Sequence, residues 1–472
     1  MRTDQHGLEL TVASPAAAER YDRAIDELLH FRAEVIEEAR DAVAEDPEFP
    51  MGNALRAYLR LLTTEADDAE AARAWWPGFL DRARELRLTP RETGHVEAIG
   101  AWLRGDMLGA GDILRQVSQA YPRDALALAV GHQIDFFTAD AAALRDRIGA
   151  TLTAWSEGDP HYGPVLGMYA FGLEESGHYD RSEDLGRQAV ELDPKDVWGI
   201  HSVVHTYEMQ GRFEDGIRYF DDHRDDWSAG NFFNVHNWWH YCLYLLEAGE
   251  TTRALEIYDA VLHNEQSEGV ALEMLDAAAL LWRLYLEGVG QTERWAALAD
   301  AWAPKMDVPF YSFNDMHAVM SYVGSGRLAD AERLIADRER YVAEEHPGVT
   351  NHWMTARIGL PVCKALLAFG HERYGDAVEL LHPIRYRLRE FGGSHAQRDA
   401  VQRTLLEAAL RAGRLELARA LVSERIGLKP HSPYNWLKQA SLARALGDEG
   451  QAAVAERRAR DIAASTQASP GG

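Results

Sequence analysis

An all-α fold, an α-solenoid of about a dozen helical hairpins, is what this sequence predicts. Three observations lead there. Alanine, leucine, arginine and glutamate dominate while β-branched residues are sparse, which favours helix because unbranched side chains lose little rotamer freedom in it. A short turn signal recurs: a small residue, glycine, any residue, then often an aromatic or aliphatic one, set between helical stretches. No Pro/Ser-rich linker divides the 472 residues, so a length that would ordinarily suggest about three domains reads as one continuous array.

In chain order, one unit begins near Ala16 and is closed by Pro47, and another begins near Thr89 and is closed by Pro122. The turn signal occurs in RGDMLGA (104–110), SGHYDRS (176–182), QGRFEDG (210–216), AGETTRA (248–254), SGRLADA (325–331), AGRLELA (412–418) and LGDEGQA (446–452). Gly177 to Gly211 is 34 residues, as is Gly413 to Gly447, and this is the tetratricopeptide period. With the turn glycine at repeat position 15, Ala170, Ala189, Ala440 and Ala452 fall on small-residue positions and Pro194 on the closing proline. Small residues let paired helices approach closely, proline ends the second helix, and glycine supplies the positive φ of the turn. Between Gly249 and Gly326, and again before Gly413, the turns are degenerate. The expected layout is a frayed segment 1–15, a single superhelical domain 16–465 and a disordered tail 466–472, because both ends carry few large apolar groups.

The formal net charge of −26 repels phosphate, so neither nucleic acid nor an anionic membrane is an expected partner. No run approaches the roughly 18 apolar residues of a membrane span, and the N-terminus lacks the basic-then-apolar pattern of a signal peptide. Cys242 and Cys363 sit in apolar helical contexts without metal-type spacing, which fits a reducing compartment; the expected location is cytoplasmic.

HSVVH (201–205) and HNWWH (236–240) each place histidines four apart. In the repeat frame His201, His205 and Glu208 take positions 5, 9 and 12 of one first helix, sharing the face that lines the concave groove. His236 and His240 take positions 2 and 6 of the next first helix. Neighbouring first helices run about 8–10 Å apart, so the two pairs can meet. Four imidazoles could chelate a divalent metal such as Zn²⁺, and Glu208 could be a ligand, an orienting acceptor or a general base. A metal-free polar pocket and structural histidines are the competing readings. Trp239 belongs to an aromatic group that either packs or walls a pocket. FNDMHAVMSYVGSGR (313–327) offers Asn314, Asp315 and His317, and GGSHAQRD (392–399) offers His395, Gln397, Arg398 and Asp399 behind a Gly-Gly loop that could hold an anion. Capping is the ordinary reading of both starts. No Walker loop, Rossmann fingerprint, GxSxG elbow or HExxH pair occurs.

HSVVHTYEMQGR, VHNWWHYCLYLLEAGE, FNDMHAVMSYVGSGR, IGLPVCKAL and HPIRYRLREFGGSHAQRD together resemble the tetratricopeptide repeat protein 38 family, from about residue 20 to about residue 430. The resemblance implies an all-helical array with a histidine-bearing interior, and no particular reaction. Two functions follow. One is a His-rich pocket for a small molecule, catalytic by His/Glu acid–base or metal-assisted chemistry. The other is a non-catalytic scaffold holding a peptide or protein in its groove, with oligomerisation open. A carboxylate clamp is excluded, since positions 5 and 9 carry Gly167/Phe171, His201/His205, Trp239/Leu243, Met316/Met320 and Arg403/Glu407 in place of lysine and asparagine.

Overall fold

The computed structural model describes residues 2–465, and the proposed tail 466–472 lies outside them. The described residues form an all-α solenoid of twelve helical hairpins, from Pro15–Leu29 with Glu34–Glu45 to Pro433–Ala445 with Glu449–Ser465. Two short helices, Arg224–Trp227 and Thr350–Met354, stand between hairpins. Every turn glycine of the seven signals has positive φ, from 69° at Gly413 to 89° at Gly105. Four turns lack the glycine: Phe31, Thr64, Ala139 and Glu372 carry the left-handed conformation between paired helices, whereas the degenerate stretch after Gly249 turns at Gly288, φ 78°. Ahead of Pro361 the chain widens into a π-type turn at Thr355–Gly359, which accommodates the ring against the preceding turn of helix.

The array coils onto itself, and distant units touch. The Asn314 side chain donates to the Thr64 carbonyl at 3.1 Å, Thr350 N–H to the Gly105 carbonyl at 2.9 Å, and Tyr311 Oη to the Phe137 carbonyl at 2.9 Å. One apolar cluster runs from Leu10 to Ile462. No helix among the described residues is long and apolar enough to cross a membrane.

The N-terminal segment departs from the expectation of fraying. Arg2–Thr3 pairs antiparallel with Glu9–Leu10, Leu10 is buried, Thr11 N–H donates to Glu92 at 2.8 Å, and Arg91 donates to Asp4 at 2.8 Å. Composition misled because polar groups do the anchoring. Asp4 compensates a guanidinium that would otherwise be buried with only Asp124 beside it, and such compensation is worth far more than an exposed pair.

Candidate functional site

The histidine helices are fixed locally before they meet. Asp196 caps helix Val197–Gln210 by accepting from the Trp198 and Gly199 amides at 3.0 and 3.1 Å, and Gly211 ends it in the left-handed conformation. Gly216, on the return helix Phe213–Asp222, packs so closely on the next first helix that a Cβ there would lie 2.3 Å from the Tyr244 ring. Tyr244 in turn donates to the Val204 carbonyl. Helices Val197–Gln210 and Asn234–Glu247 are thereby set side by side at the level of the histidines.

The four rings converge. One ring nitrogen from each of His201, His205, His236 and His240 lies within 4.8 Å of the others. His236 Nε2 is 3.1 Å from His201 Nε2 and 3.2 Å from His240 Nε2. Carboxylates stand behind the rings. Asp276 Oδ2 is 2.7 Å from His236 Nδ1, Glu208 Oε2 is 2.9 Å from His240 Nδ1, and Glu174 Oε2 is 3.2 Å from His205 Nδ1 without hydrogen-bond geometry. His201 Nδ1, both nitrogens of His205 and both carboxylate oxygens of Glu174 are buried with no hydrogen-bond partner among the described residues. Trp239 is fully buried and stacks on His236 with ring centroids 5.3 Å apart, and Arg283 sits over its other contacts at 5.4 Å from the indole.

The electrostatics favour neutral rings at His201, His205 and His240. Burial, then the neighbouring imidazoles, holds His201 and His240 well below the ordinary histidine range, and burial lowers His205 to about 4. With a carboxylate at Nδ1 of His236 and of His240, the proton of each neutral ring sits on Nδ1. Their Nε2 atoms then present two lone pairs to one another at 3.2 Å. Such a contact is repulsive unless a cation or a second proton lies between, and burial disfavours that proton on His240. Tetrahedral Zn²⁺ at about 2.0–2.1 Å from each nitrogen would set its ligands about 3.3–3.4 Å apart, close to the 3.1 and 3.2 Å from His236 to His201 and to His240. The carboxylates at Nδ1 are the outer partners that metal-bound histidines ordinarily have.

The remaining candidates are engaged elsewhere. Asp315 forms a two-point ion pair with Arg338 at 3.0 and 2.8 Å, both side chains being buried. Asn314 ties to Thr64 as above. His317 donates from Nδ1 to the Phe313 carbonyl at 2.8 Å and packs against the Phe313 ring, so it belongs to the core. The Gly392-Gly393 loop is no anion cradle. A Cβ at Gly392 would meet Tyr311 Oη at 2.1 Å and one at Gly393 would meet the Phe313 ring at 2.3 Å, while both glycine carbonyls accept from Arg398. Ser394 and Gln397 form a capping box, and Asp399 accepts from Arg403 and Arg425 at 2.7 Å each. Helix His395–Arg411 nevertheless reaches the site's periphery: His395 N–H donates to Glu175 at 2.9 Å, Arg398 approaches Glu175 at 3.4 Å, and Gln397 approaches Asp276 at 3.5 Å.

Two departures from expectation follow. The space beside the four histidines is filled, not open: Arg283 donates to the Ala396 carbonyl at 2.7 Å and Trp282 to Thr404 at 2.8 Å across the face that was to be a groove. The cavity that reaches Glu208, walled by Arg283, Arg403 and Lys429, measures about 30 Å³, room for water and not for an organic substrate. Sequence reading also missed Asp276, Glu174 and Glu175. Asp276, on the apolar side of the run ALEMLDAAALLW, was the available signal, since a buried charge is almost always partnered.

His317 gives a pH test away from the cluster. Burial, with Arg283 adding to it, lowers its pKa from 6.5 to about 4. Between those values the unfolded chain binds a proton that the native state refuses, so stability is complete above about pH 6.5 and falls as pH drops toward 4. Roughly 3 kcal/mol is at stake. Denaturant unfolding between pH 7.5 and about 4.5 is expected to show a shallower loss for His317→Leu than for the wild type; parallel curves would contradict this.

No known family's sequence profile matches the chain. By structure it is similar to the human IFIT1 dimer with m7Gppp-AAAA, at 12% identity over 97% of this chain and 96% of that one, with a TM-score of 0.41. It is also similar to the APC/C hetero-tetramer Cut9-Hcn1, at 12% identity over 96% of each chain, with a TM-score of 0.34. Likeness at this level says nothing about ligand or partner.

Proposed function

We propose that the protein is a metal-stabilised helical-repeat scaffold in which His201, His205, His236 and His240 hold one first-row divalent cation, Zn²⁺ being the best match. The observation that carries this is the 3.2 Å approach of His236 Nε2 to His240 Nε2 while Asp276 and Glu208 occupy the opposite ring nitrogens. Four ligands and burial make a closed shell, the arrangement of centres that hold structure, whereas catalytic zinc keeps an open position. The cation joins two successive hairpins across their inner helices. On this reading the HNWWH segment, the most specific part of the resemblance to the tetratricopeptide repeat protein 38 family, supplies half of the ligands.

With the space beside the histidines filled, a scaffold offers its outer surface. The last two hairpins expose Leu428, Leu437, Leu446 and Val454, which favours the C-terminal end for contact with another protein.

Metal analysis of protein purified without chelator and dialysed against trace Zn²⁺ tests the reading. The expected result is tightly held metal in the wild type, and its loss from this centre in His236→Ala and His240→Ala. Co²⁺ substitution should give the intense visible absorption of a tetrahedral nitrogen site. A wild type that retains no Zn²⁺, or variants indistinguishable from it, would overturn the assignment.

A further inference from the structure

Resting on that reading, we infer that the centre is dinuclear: a second divalent cation binds between Glu174, Glu175 and His205, and the His205 ring bridges the two metals. One ligand atom from each of these three residues lies within 4.8 Å of the others, and all three residues are buried. Glu174 carries the observation furthest. Its side chain is 0% exposed, neither oxygen has a hydrogen-bond partner among the described residues, and the Glu175 carboxylate beside it is of like charge. A buried carboxylate left this way costs several kcal/mol unless a cation or a proton meets it.

His205 faces both groups. It belongs to the four-imidazole set and to the carboxylate set alike, with Nδ1 3.2 Å from Glu174 Oε2 and neither ring nitrogen in a hydrogen bond. The other rings differ: His236 and His240 each commit Nδ1 to a carboxylate. A ring with both nitrogens free between two ligand sets is suited to bond a metal through each. On uptake of the second cation the His205 ring proton, and any proton on Glu174, leave to solvent, and the two metal–nitrogen bonds take both ring lone pairs.

The surroundings of the cluster are acidic. Glu174, Glu175, Glu208 and Asp276 surround four imidazoles, while the nearest cations are Arg398 at 3.4 Å from Glu175 and Lys429 at 4.0 Å from Glu208. Arg398 and Lys429 leave two carboxylate charges for bound cations to offset. Glu175 keeps its contacts to His395 and Arg398 through both oxygens, so it is the weaker ligand and Glu174 the anchor.

Zn²⁺ titration of metal-free full-length protein, followed by calorimetry and metal analysis, tests this. The expected stoichiometry is two per chain for the wild type and one for Glu174→Gln, with the Co²⁺ spectrum of the four-histidine site retained in the variant. One equivalent in both proteins with equal affinity overturns the dinuclear centre and leaves the four-histidine site standing. No binding in the wild type overturns the underlying reading instead. Electron paramagnetic resonance of the Cu²⁺-loaded wild type needs no variant: an exchange-coupled pair, with signal per copper well below that of isolated ions, is expected. Signal integrating to every bound copper overturns the bridge. Should Glu174 simply hold a proton shared with His205, both measurements give the single-site result.

Discussion

Chelating the metal from purified protein is expected to destabilise it by about 4 kcal/mol relative to the same protein with free Zn²⁺ at a thousandfold its dissociation constant. The loss should be confined to the metal-loaded state. Chemical denaturation with and without chelator measures it directly, and an unchanged midpoint would mean that the four rings contribute no metal-dependent stability. Asp276→Asn sharpens the result. Asp276 touches no metal ligand atom but fixes the tautomer of His236 through the 2.7 Å contact at Nδ1, so the amide should weaken metal affinity by roughly 10–100-fold. In chelated protein the same substitution should change stability little. A variant that lowers both states equally would make Asp276 a packing residue only.

Asp315→Ala is expected to cost about 3 kcal/mol, because it takes from the Arg338 guanidinium, 2% exposed, its buried two-point partner and leaves only the half-exposed Asp337 carboxylate. Arg338 also donates to Asp337 and to the Met306 carbonyl, so the charge stays fixed in place and cannot swing to solvent. Replacing both members, Asp315→Leu with Arg338→Met, should recover most of the loss, since an apolar pair of similar volume removes the desolvation cost along with the attraction. Urea unfolding of the single and double variants decides it: a double variant as unstable as Asp315→Ala would show that lost packing, not unpaired charge, is responsible.

Much of this protein was legible along the chain. The turn glycines at 34-residue spacing and the small residues in the helix interiors specify hairpins, and an i,i+4 pair of histidines specifies a shared helix face whatever surrounds it. His201, His205, His236 and His240 were found for that reason. Phe31, Thr64, Ala139 and Glu372 hid their turns because neighbouring packing, not residue type, holds them at positive φ.

The amino-acid sequence by itself determined the helical hairpins, their order and the inward faces of the four histidines, because each depends on periods of a few residues. Only the tertiary structure decided what those faces meet. Asp276 meets His236 from the next hairpin, 40 residues on, whereas Glu175 lies 220 residues from His395, an approach that depends on the small rotation added by every intervening hairpin. Local periodicity fixes a direction on a helix; the accumulated coil of the array fixes a neighbour.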